Sequence, residues 1–495
     1  MTRLAAWLAR ETPATDLQFC VTGHINGSYS LAAVNRGLAC SLGRRWPVRV
    51  LPVEGQPTDD LQGVPPSERH LLQSMSVRRW QPRGQRVVIS GHYPVHVPKD
   101  PADATLALFY WEETQIPIDT VRLLNRHFTG VLAPSSFVAK ALVDSGVSVP
   151  VHMVGQAPDL ADFHAIGRRR HPRGSREPFS FLHVSSCLPR KGVDVLLAGY
   201  VRAFRRRDAV RLLIKGYPNP HNTVQAQIDA IRAADPQAPE IVLINRDLGR
   251  VELLELYCQA DAMVLPTRGE GFNLPAAEAM AARLPVIVTG LGGQSDFCTC
   301  ATARLVDGQF VPTASHVSGA GSLWVEPSVD DLAAALREVR TGGDGIAARV
   351  HIAAITAETM MTEAALVDRI GQAAMSCLAE DATAEHQVVI VEPQNRSWNG
   401  LRRSLASAAA HNRRAVVVLS DTAWLPNDLM VLATAARVMV RDIADLHWLQ
   451  SRGLSDNVVF APDSPERGER LSGLLQGLRH GSHQCANSWV RTSLA

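Results

Sequence analysis

No run of 18 or more apolar residues occurs in the sequence, so no part of it reads as a transmembrane helix. Lysine is scarce. Of 50 basic residues only Lys99, Lys140, Lys191 and Lys215 are lysines, which makes each a position to inspect. Neither charge sign dominates: 50 basic residues face 48 acidic ones, for a net charge of +2. That excludes a polycation that holds nucleic acid by bulk charge. The eight cysteines include no C-x-x-C pair and no Cys/His cluster at zinc spacing, and Cys298 and Cys300 stand too close for an ordinary zinc half-site. A reduced, cytoplasmic compartment and no bound metal are expected. The P-loop, H-E-x-x-H and G-x-S-x-G patterns are missing as well. The N-terminal MTRLAAWLARET is interrupted by Arg10 and Glu11 after a very short apolar stretch, so a cleaved secretory signal is not expected.

What is present is an ordinary globular composition, 46% hydrophobic and 20% charged over 495 residues. At roughly 100–200 residues per domain, two to four domains are expected. Short β-branched runs alternate with longer helical patterns, the signature of parallel sheets. Strands are expected at 17–22, 48–53, 86–90, 105–110, 130–134 and 150–154, and a second set at 179–185, 210–215, 240–244, 262–265 and 285–289. Between the sets, GRRRHPRGSREP (167–178) reads as a linker. The chain is therefore divided into residues 1–167, residues 168–380, closed by helices over 331–379, and a smaller α/β segment at 385–480. The last has strands expected at 387–391, 415–419, 437–440 and 457–460. It echoes the first domain. Val131, Leu142 and Gly146 are spaced as Val438, Leu449 and Gly453 are, which suggests a repeated strand–helix half-unit.

The most informative stretch is AMVLPTRGEGFNLPAAEAMAARLPVIVTGLGGQSD, residues 262–296. A strand ends at Pro266, and a loop leads into a helix capped by Asn273 with Pro275 in its first turn. The amides around Gly271–Pro275 would point out of the helix start, a setting for an anion or polarised hydroxyls. Glu270 lies before the helix and Glu278 about a turn inside it. Both can face the C-terminal edge of the sheet, where ligands of open α/β sheets bind. Taken singly, Glu270 could be a solvated loop acid and Glu278 an acid favoured by the helix dipole. Together with the glycines, the proline and the apolar strand that follows, they describe a site. GLGGQSD (290–296) is no dinucleotide fingerprint, because Ser295 stands at the third glycine position.

This stretch resembles the Glu-x7-Glu motif of retaining, nucleotide-sugar-dependent glycosyltransferases of the GT-B fold, family 4 type. The resemblance implies two Rossmann-like domains facing a cleft. It implies that Glu270 contacts donor-sugar hydroxyls and Glu278 the nucleotide ribose, while the backbone of Gly271, Phe272, Asn273 and Leu274 lines the pocket. Residues 181–215 resemble the opening of the family's donor domain, and Lys191 falls on the lysine that contacts the donor diphosphate. Many members carry an arginine five positions before that lysine, where this chain has Ser186, so Arg190 or Lys215 is expected to supply the second cation. Residues 21–42 resemble the family's first strand and glycine-bearing loop, with Gly23 and Gly27 allowing close approach to a ligand. Residues 109–147 carry a W-E-x-T-x-x-P core at Trp111, Glu112, Thr114 and Pro117, and Glu112 and His92 are the acceptor-side candidates.

The resemblance implies transfer of a hexosyl unit with retention, without a cofactor or metal, to a glycan or lipid-linked glycan in bacterial surface polysaccharide synthesis. GDP-mannose is the donor suggested by family habit. A lipid-linked acceptor would bring the protein to the inner face of the cytoplasmic membrane. Nucleic acid is not an expected partner. Two other classes stay open: a non-catalytic nucleotide-sugar-binding scaffold of a polysaccharide assembly complex, and a non-transferase enzyme of the same fold, such as an epimerase. Residues 385–480 resemble a partial first-domain half of another glycosyltransferase, and no catalysis is assigned to them.

Overall fold

The computed structural model describes residues 17–379 except 28, 54–60, 62–63, 65, 171–177 and 316–320. It also describes 388–479 except 392, 394–397, 411–413, 424, 426–428, 430–431, 434, 436, 453, 455–456 and 463. Most of the expected linker and Gly453 thus lie outside the described residues.

The first sheet contains β1 (Leu17–Gly23), β2 (Val48–Pro52), β3 (Gln85–Gly91), β4 (Ala104–Leu108), β5 (Gly130–Ala133) and β6 (Val151–Met153), in the order β2-β1-β3-β4-β5-β6. The second contains β7 (Phe179–Val184), β8 (Val210–Gly216), β9 (Glu240–Asn245), β10 (Ala262–Leu265), β11 (Val286–Thr289) and β12 (Arg304–Val306), in the order β12-β11-β10-β7-β8-β9. All its neighbouring pairs are parallel. Both are Rossmann-like doubly wound sheets, and each has one point where the strand order reverses. In the first sheet it falls between β1 and β3, in the second between β7 and β10. The loops that leave those strands are where a ligand site belongs.

Side-chain alternation explains why these runs become interior strands. On β10, Ala262 and Val264 enter one apolar cluster with Phe181, Leu212 and Ile287. Met263 and Leu265 enter another with Leu182, Leu213 and Val288. Both faces are covered, so the strands are apolar throughout rather than alternating.

Three strands were not expected from the sequence. β12 carries the second sheet one strand further, and β13 (Gly308–Pro312) pairs antiparallel with β14 (Leu323–Pro327). The expected linker also begins later than predicted. The helix Ala161–Arg169 continues through Gly167, and the Arg170 guanidinium donates to the carbonyls of Tyr257, Ala260 and Ala282 at 2.6–3.0 Å. The Arg170 side chain thus bonds backbone at the start of the expected linker.

Residues 388–479 form a four-stranded parallel sheet, β15 (Val388–Val391), β16 (Arg414–Val418), β17 (Arg437–Val440) and β18 (Val458–Phe460), in chain order. The sequence echo extends to the elements. β5, the helix Ser136–Asp144 and β6 begin at 130, 136 and 151; β17, the helix Ile443–Gln450 and β18 begin 307 positions later, at 437, 443 and 458. The N-caps correspond too: Ser135 accepts from the Val138 amide and Asp442 from the Ala444 amide.

By contact density the chain divides into two compact units. One comprises Met1–Phe109, Arg122–Leu132 and Glu363–Asp381; the other comprises Tyr110–Val121, Ala133–Thr362 and Ala382–Ala495. The helix Glu363–Leu378, expected to close the second domain, groups with the first unit. There Glu363 pairs with Arg44 and Asp368 with Arg45, and Trp46 lies over Gly371. No single helix among the described residues is long and apolar enough to cross a membrane.

A Cβ on Gly371 would sit 2.8 Å from the Trp46 ring. Gly371→Val is expected to destabilise the first unit by about 1–3 kcal/mol, as overpacking does. A lowered urea midpoint in pulse proteolysis, for fragments containing Trp46, checks this.

Candidate active site

The loops after β7 and β10 meet at the reversal point of the second sheet. After β7, Leu188 leads into a short 3-10 turn, Pro189–Lys191, closed by Gly192 at φ +65°. A Cβ on Gly192 would lie 1.9 Å from the Pro266 carbonyl oxygen, so only glycine lets the two loops touch. The Arg268 amide donates to the Arg190 carbonyl at 2.7 Å. The Arg268 guanidinium, 8% exposed, donates to both oxygens of Asp194, both of Glu326 and the Pro189 carbonyl.

The loop 269–272 is held from several sides. The Gly293 amide donates to the Glu270 carbonyl at 2.7 Å, and the Ser135 hydroxyl to the Gly271 carbonyl at 2.7 Å. A Cβ on Gly269 would meet the Glu112 carbonyl oxygen at 2.1 Å. Asn273 then caps the helix Leu274–Ala281 as expected. It sits at φ +79°, in the left-handed region that asparagine tolerates, and its side chain accepts from the Ala276 amide.

This scaffold brings together four of the candidates. Lys191 Nζ donates to Glu270 Oε1 at 2.7 Å. Arg190 lies 3.6 Å from Glu270 Oε2 and 3.1 Å from Glu112 Oε1. Burial, then the Arg190 charge, lowers the Lys191 pKa below the ordinary 10.5, with Glu270 opposing. For Arg190 burial works against the charge, but Glu112 and Glu270 more than offset it and its pKa rises. Two cations and two carboxylates thus neutralise one another in a partly water-excluded pocket.

Glu278 has a different setting. It accepts a hydrogen bond from the buried Tyr257 hydroxyl, and burial pushes its pKa up to about 7, with Tyr257 and Arg250 opposing. Lys215 ends β8 beside β7, but its ammonium stands over the Tyr217 ring, 5.7 Å from the centroid, and makes no ion pair among the described residues. Arg190 therefore stands as the second cation at Glu270. Ser186 contributes its carbonyl, which accepts from Asn219.

Sequence reasoning missed three residues here. Arg268 and Tyr257 act across long sequence separations that leave no local signal. His183, fully buried, donates from Nδ1 to the Val264 carbonyl and meets the Ser185 hydroxyl through Nε2, and burial lowers its pKa to about 4. It joins β7 to β10 as a neutral imidazole.

The first unit has its own loop cluster at the β1/β3 reversal. Gly23 packs its backbone on Gly91, where a Cβ would lie 2.3 Å from the Gly91 carbonyl oxygen. Asn35 donates to the carbonyls of His24 and Gly91, and Arg36 to those of Ile25 and Gly27. Gly27 sits at φ +96°. His92 lies 3.3 Å from the Thr22 hydroxyl, with its ring 5.9 Å from that of His24 and 5.3 Å from that of His96. Burial, then the two neighbouring imidazoles, lowers its pKa to about 4, so it is neutral near pH 7.

Comparison with known proteins bears on the fold and on one segment of the chain. Two solved structures share the fold: a glycosyltransferase from Rickettsia africae and a sucrose-phosphate synthase from Thermosynechococcus elongatus. Each aligns with a TM-score of 0.52, at 13% and 15% identity, over 74% of this chain and 100% of its own. The two Rossmann-like sheets are those of the GT-B glycosyltransferase fold. Residues 178–341, which contain Arg190, Lys191, Glu270 and Glu278, match the family described as glycosyl transferases group 1. A D-inositol 3-phosphate glycosyltransferase from Kineococcus radiotolerans is 30% identical over 162 residues, 32% of this chain and 35% of that protein. An MMP alpha-(1->4)-mannosyltransferase from Mycolicibacterium hassiacum is 27% identical over 217 residues, 42% and 49% of the two chains. The chain thus spans about a third to a half of the length of these relatives.

Two outcomes follow from the loop contacts and the titration of Glu278. Gly192→Ala puts a side chain into the Pro266 carbonyl at an unfavourable φ, and a loss of order 1–3 kcal/mol in denaturant stability is expected. Glu278 is protonated in the folded state up to about pH 7 and in the unfolded state only to about 4.5. Ionisation therefore costs folded stability as pH rises through that window. Glu278→Gln lacks this cost, so its stability relative to wild type should climb between pH 4.5 and 7 and then level off in thermal melts.

Proposed function

We propose that the protein is a retaining, metal-independent glycosyltransferase that moves a hexosyl unit from a nucleotide sugar to a hydroxyl of a glycan acceptor. One observation carries the reading: Glu270, Lys191 and Arg190 lie in contact at the reversal point of the sheet, inside the segment that matches the family. Breaking the bond from the anomeric carbon to the diphosphate puts negative charge on the leaving group. Lys191 and Arg190 are the cations placed to meet that charge. Lys191 would exchange its partner, from Glu270 to the diphosphate, and Glu270 would turn to the sugar hydroxyls. Glu278 would meet the ribose, and the backbone of Gly271–Leu274 the sugar and phosphates. The acceptor hydroxyl attacks on the face the leaving group departs from and gives its proton to the leaving phosphate. In this reading Glu270 is engaged with the sugar hydroxyls and Glu112 pairs with Arg190, which favours this front-face route over a protein nucleophile.

In this reading Glu112 and His92 serve the acceptor side, and the donor is GDP-mannose. The relatives' names support mannose, since a mannosyltransferase is among them. The acceptor is a bacterial surface glycan, lipopolysaccharide among the candidates, carried on lipid at the cytoplasmic face of the inner membrane. A second reading, a nucleotide-sugar-binding scaffold without turnover, draws on Ser186, which brings no cation to the end of β7.

The test is a panel of GDP-, UDP- and dTDP-sugars, followed by slow donor hydrolysis with and without EDTA. One donor should be hydrolysed, unaffected by chelation, and Glu270→Ala should lower turnover at least 100-fold, the scale of losing an electrostatic contact to the reacting group. Full activity in Glu270→Ala would sink the assignment. Binding of a donor without turnover, even when lipid-linked glycans are added, would favour the scaffold.

A further inference from the structure

The segment Trp111–Pro117 is irregular yet buried, with Trp111, Glu113, Thr114, Gln115 and Ile116 all at most 6% exposed. Buried backbone without regular structure needs partners from elsewhere in the chain. One flank faces the catalytic loop: Glu112 pairs with Arg190, and a Cβ on Gly271 would stand 3.0 Å from the Trp111 carbonyl oxygen. Its middle is held by β14, where the Thr114 amide donates to the Leu323 carbonyl at 3.0 Å and the Leu323 amide to the Thr114 hydroxyl at 2.8 Å.

The Gln115 and Ile116 amides donate to the Ser322 and Ser145 hydroxyls at 3.3 and 2.8 Å, and the Trp111 indole N–H to the Gln115 carbonyl at 2.9 Å. Further contacts come from residues 388–479. Gln115 Nε2 donates to the Phe460 carbonyl at the end of β18, 2.9 Å away. The buried Arg470 guanidinium donates to the Ile116 carbonyl at 2.9 Å and to that of Ser145 at 3.4 Å, while Glu466 accepts from its other amine. The backbones fit closely there. Gly146 takes φ +96°, and a Cβ on Gly473 would lie 2.0 Å from the Gly146 carbonyl oxygen. Nearby, Lys140 bonds Asp144 and also reaches the Val458 carbonyl at 3.1 Å.

We infer that residues 388–479 are a buttress for the catalytic loop: through Arg470 and Gln115 they fix the strap 111–117, and the strap fixes Arg190 by way of Glu112. Arg470 and Gln115 are positioning residues. The C-terminal segment needs no chemistry of its own for this, since it acts through donors to two backbone carbonyls and one acceptor. The inference rests on the proposed function only for its effect on nucleotide affinity.

The experiment uses the full chain as wild type, Arg470→Met, Arg470→Lys, Gln115→Met and, as a control on the same segment, Arg452→Ala. Hydrogen exchange at peptides covering 111–116 is read beside the affinity for GDP, UDP and dTDP. Arg470→Met should speed exchange in the strap at least tenfold and weaken the best nucleotide three- to tenfold. Arg470→Lys should recover part of both, and Arg452→Ala should change neither. Strap exchange unchanged in Arg470→Met, or faster exchange confined to 388–479, overturns the buttress. If Arg470→Met does not fold, Gln115→Met, which drops a single bond, gives the same decision. If wild type binds none of the nucleotides, the transferase reading fails, while strap exchange still decides the buttress.

Discussion

The Arg268 guanidinium sits where four pieces of chain converge. It bonds Asp194 at the start of one helix, Glu326 in β14 and the carbonyl of Pro189, and its own amide and carbonyl bond Arg190 and Val325. The outer faces of Asp194 and Glu326 are half exposed, so their charges are screened and the Coulomb part of these pairs is modest. The contribution lies in geometry: a planar fork satisfies two carboxylates and a carbonyl at once, which a lysine could not do. Because the Lys191 turn, the Glu270 loop and the hairpin all end on this group, the placement of the cations relative to Glu270 depends on it.

The parts of this arrangement that were legible in the sequence are those where the backbone dictates the residue. Asn273 and Pro275 report a capped helix start, and the glycines at 269 and 271 report backbones in contact. Apolar runs such as AMVL and PVIVT report strands covered on both faces. The parts that were not legible depend on distant partners. Tyr257 is a tyrosine in a helix until the fold brings Glu278 to its hydroxyl. β12 and β13 are parted only by Asp307, and that Asp307–Gly308 step reads as a turn. The helix Glu363–Leu378 follows two helices of the second domain directly in the chain. Its partners Arg44, Arg45 and Trp46, more than 300 positions earlier, send it to the first unit.

The repeat at 307 positions shows how far pattern can be trusted. Strand, cap and helix recur in register, because each is set by local periodicity and by one capping side chain. What the copies bond does not recur. Lys140 reaches across to Val458, whereas His447, its counterpart, meets the Phe310 carbonyl. Internal architecture is inherited with the pattern, while the outward contacts of each copy belong to its surroundings.

The closed pair of Lys191 and Glu270 bears on which anions the pocket can admit. An entering ion does not meet a bare cation; it must displace a carboxylate already bonded at 2.7 Å. Chloride offers one charge in exchange for one, without the carboxylate's fixed geometry, and gains nothing. A diphosphate, the ligand of the proposed function, would bring more charge, spread over several oxygens, to Lys191 and Arg190 together. A pair closed in this way sets a threshold that a monovalent ion falls below and that a polyvalent ligand would pass.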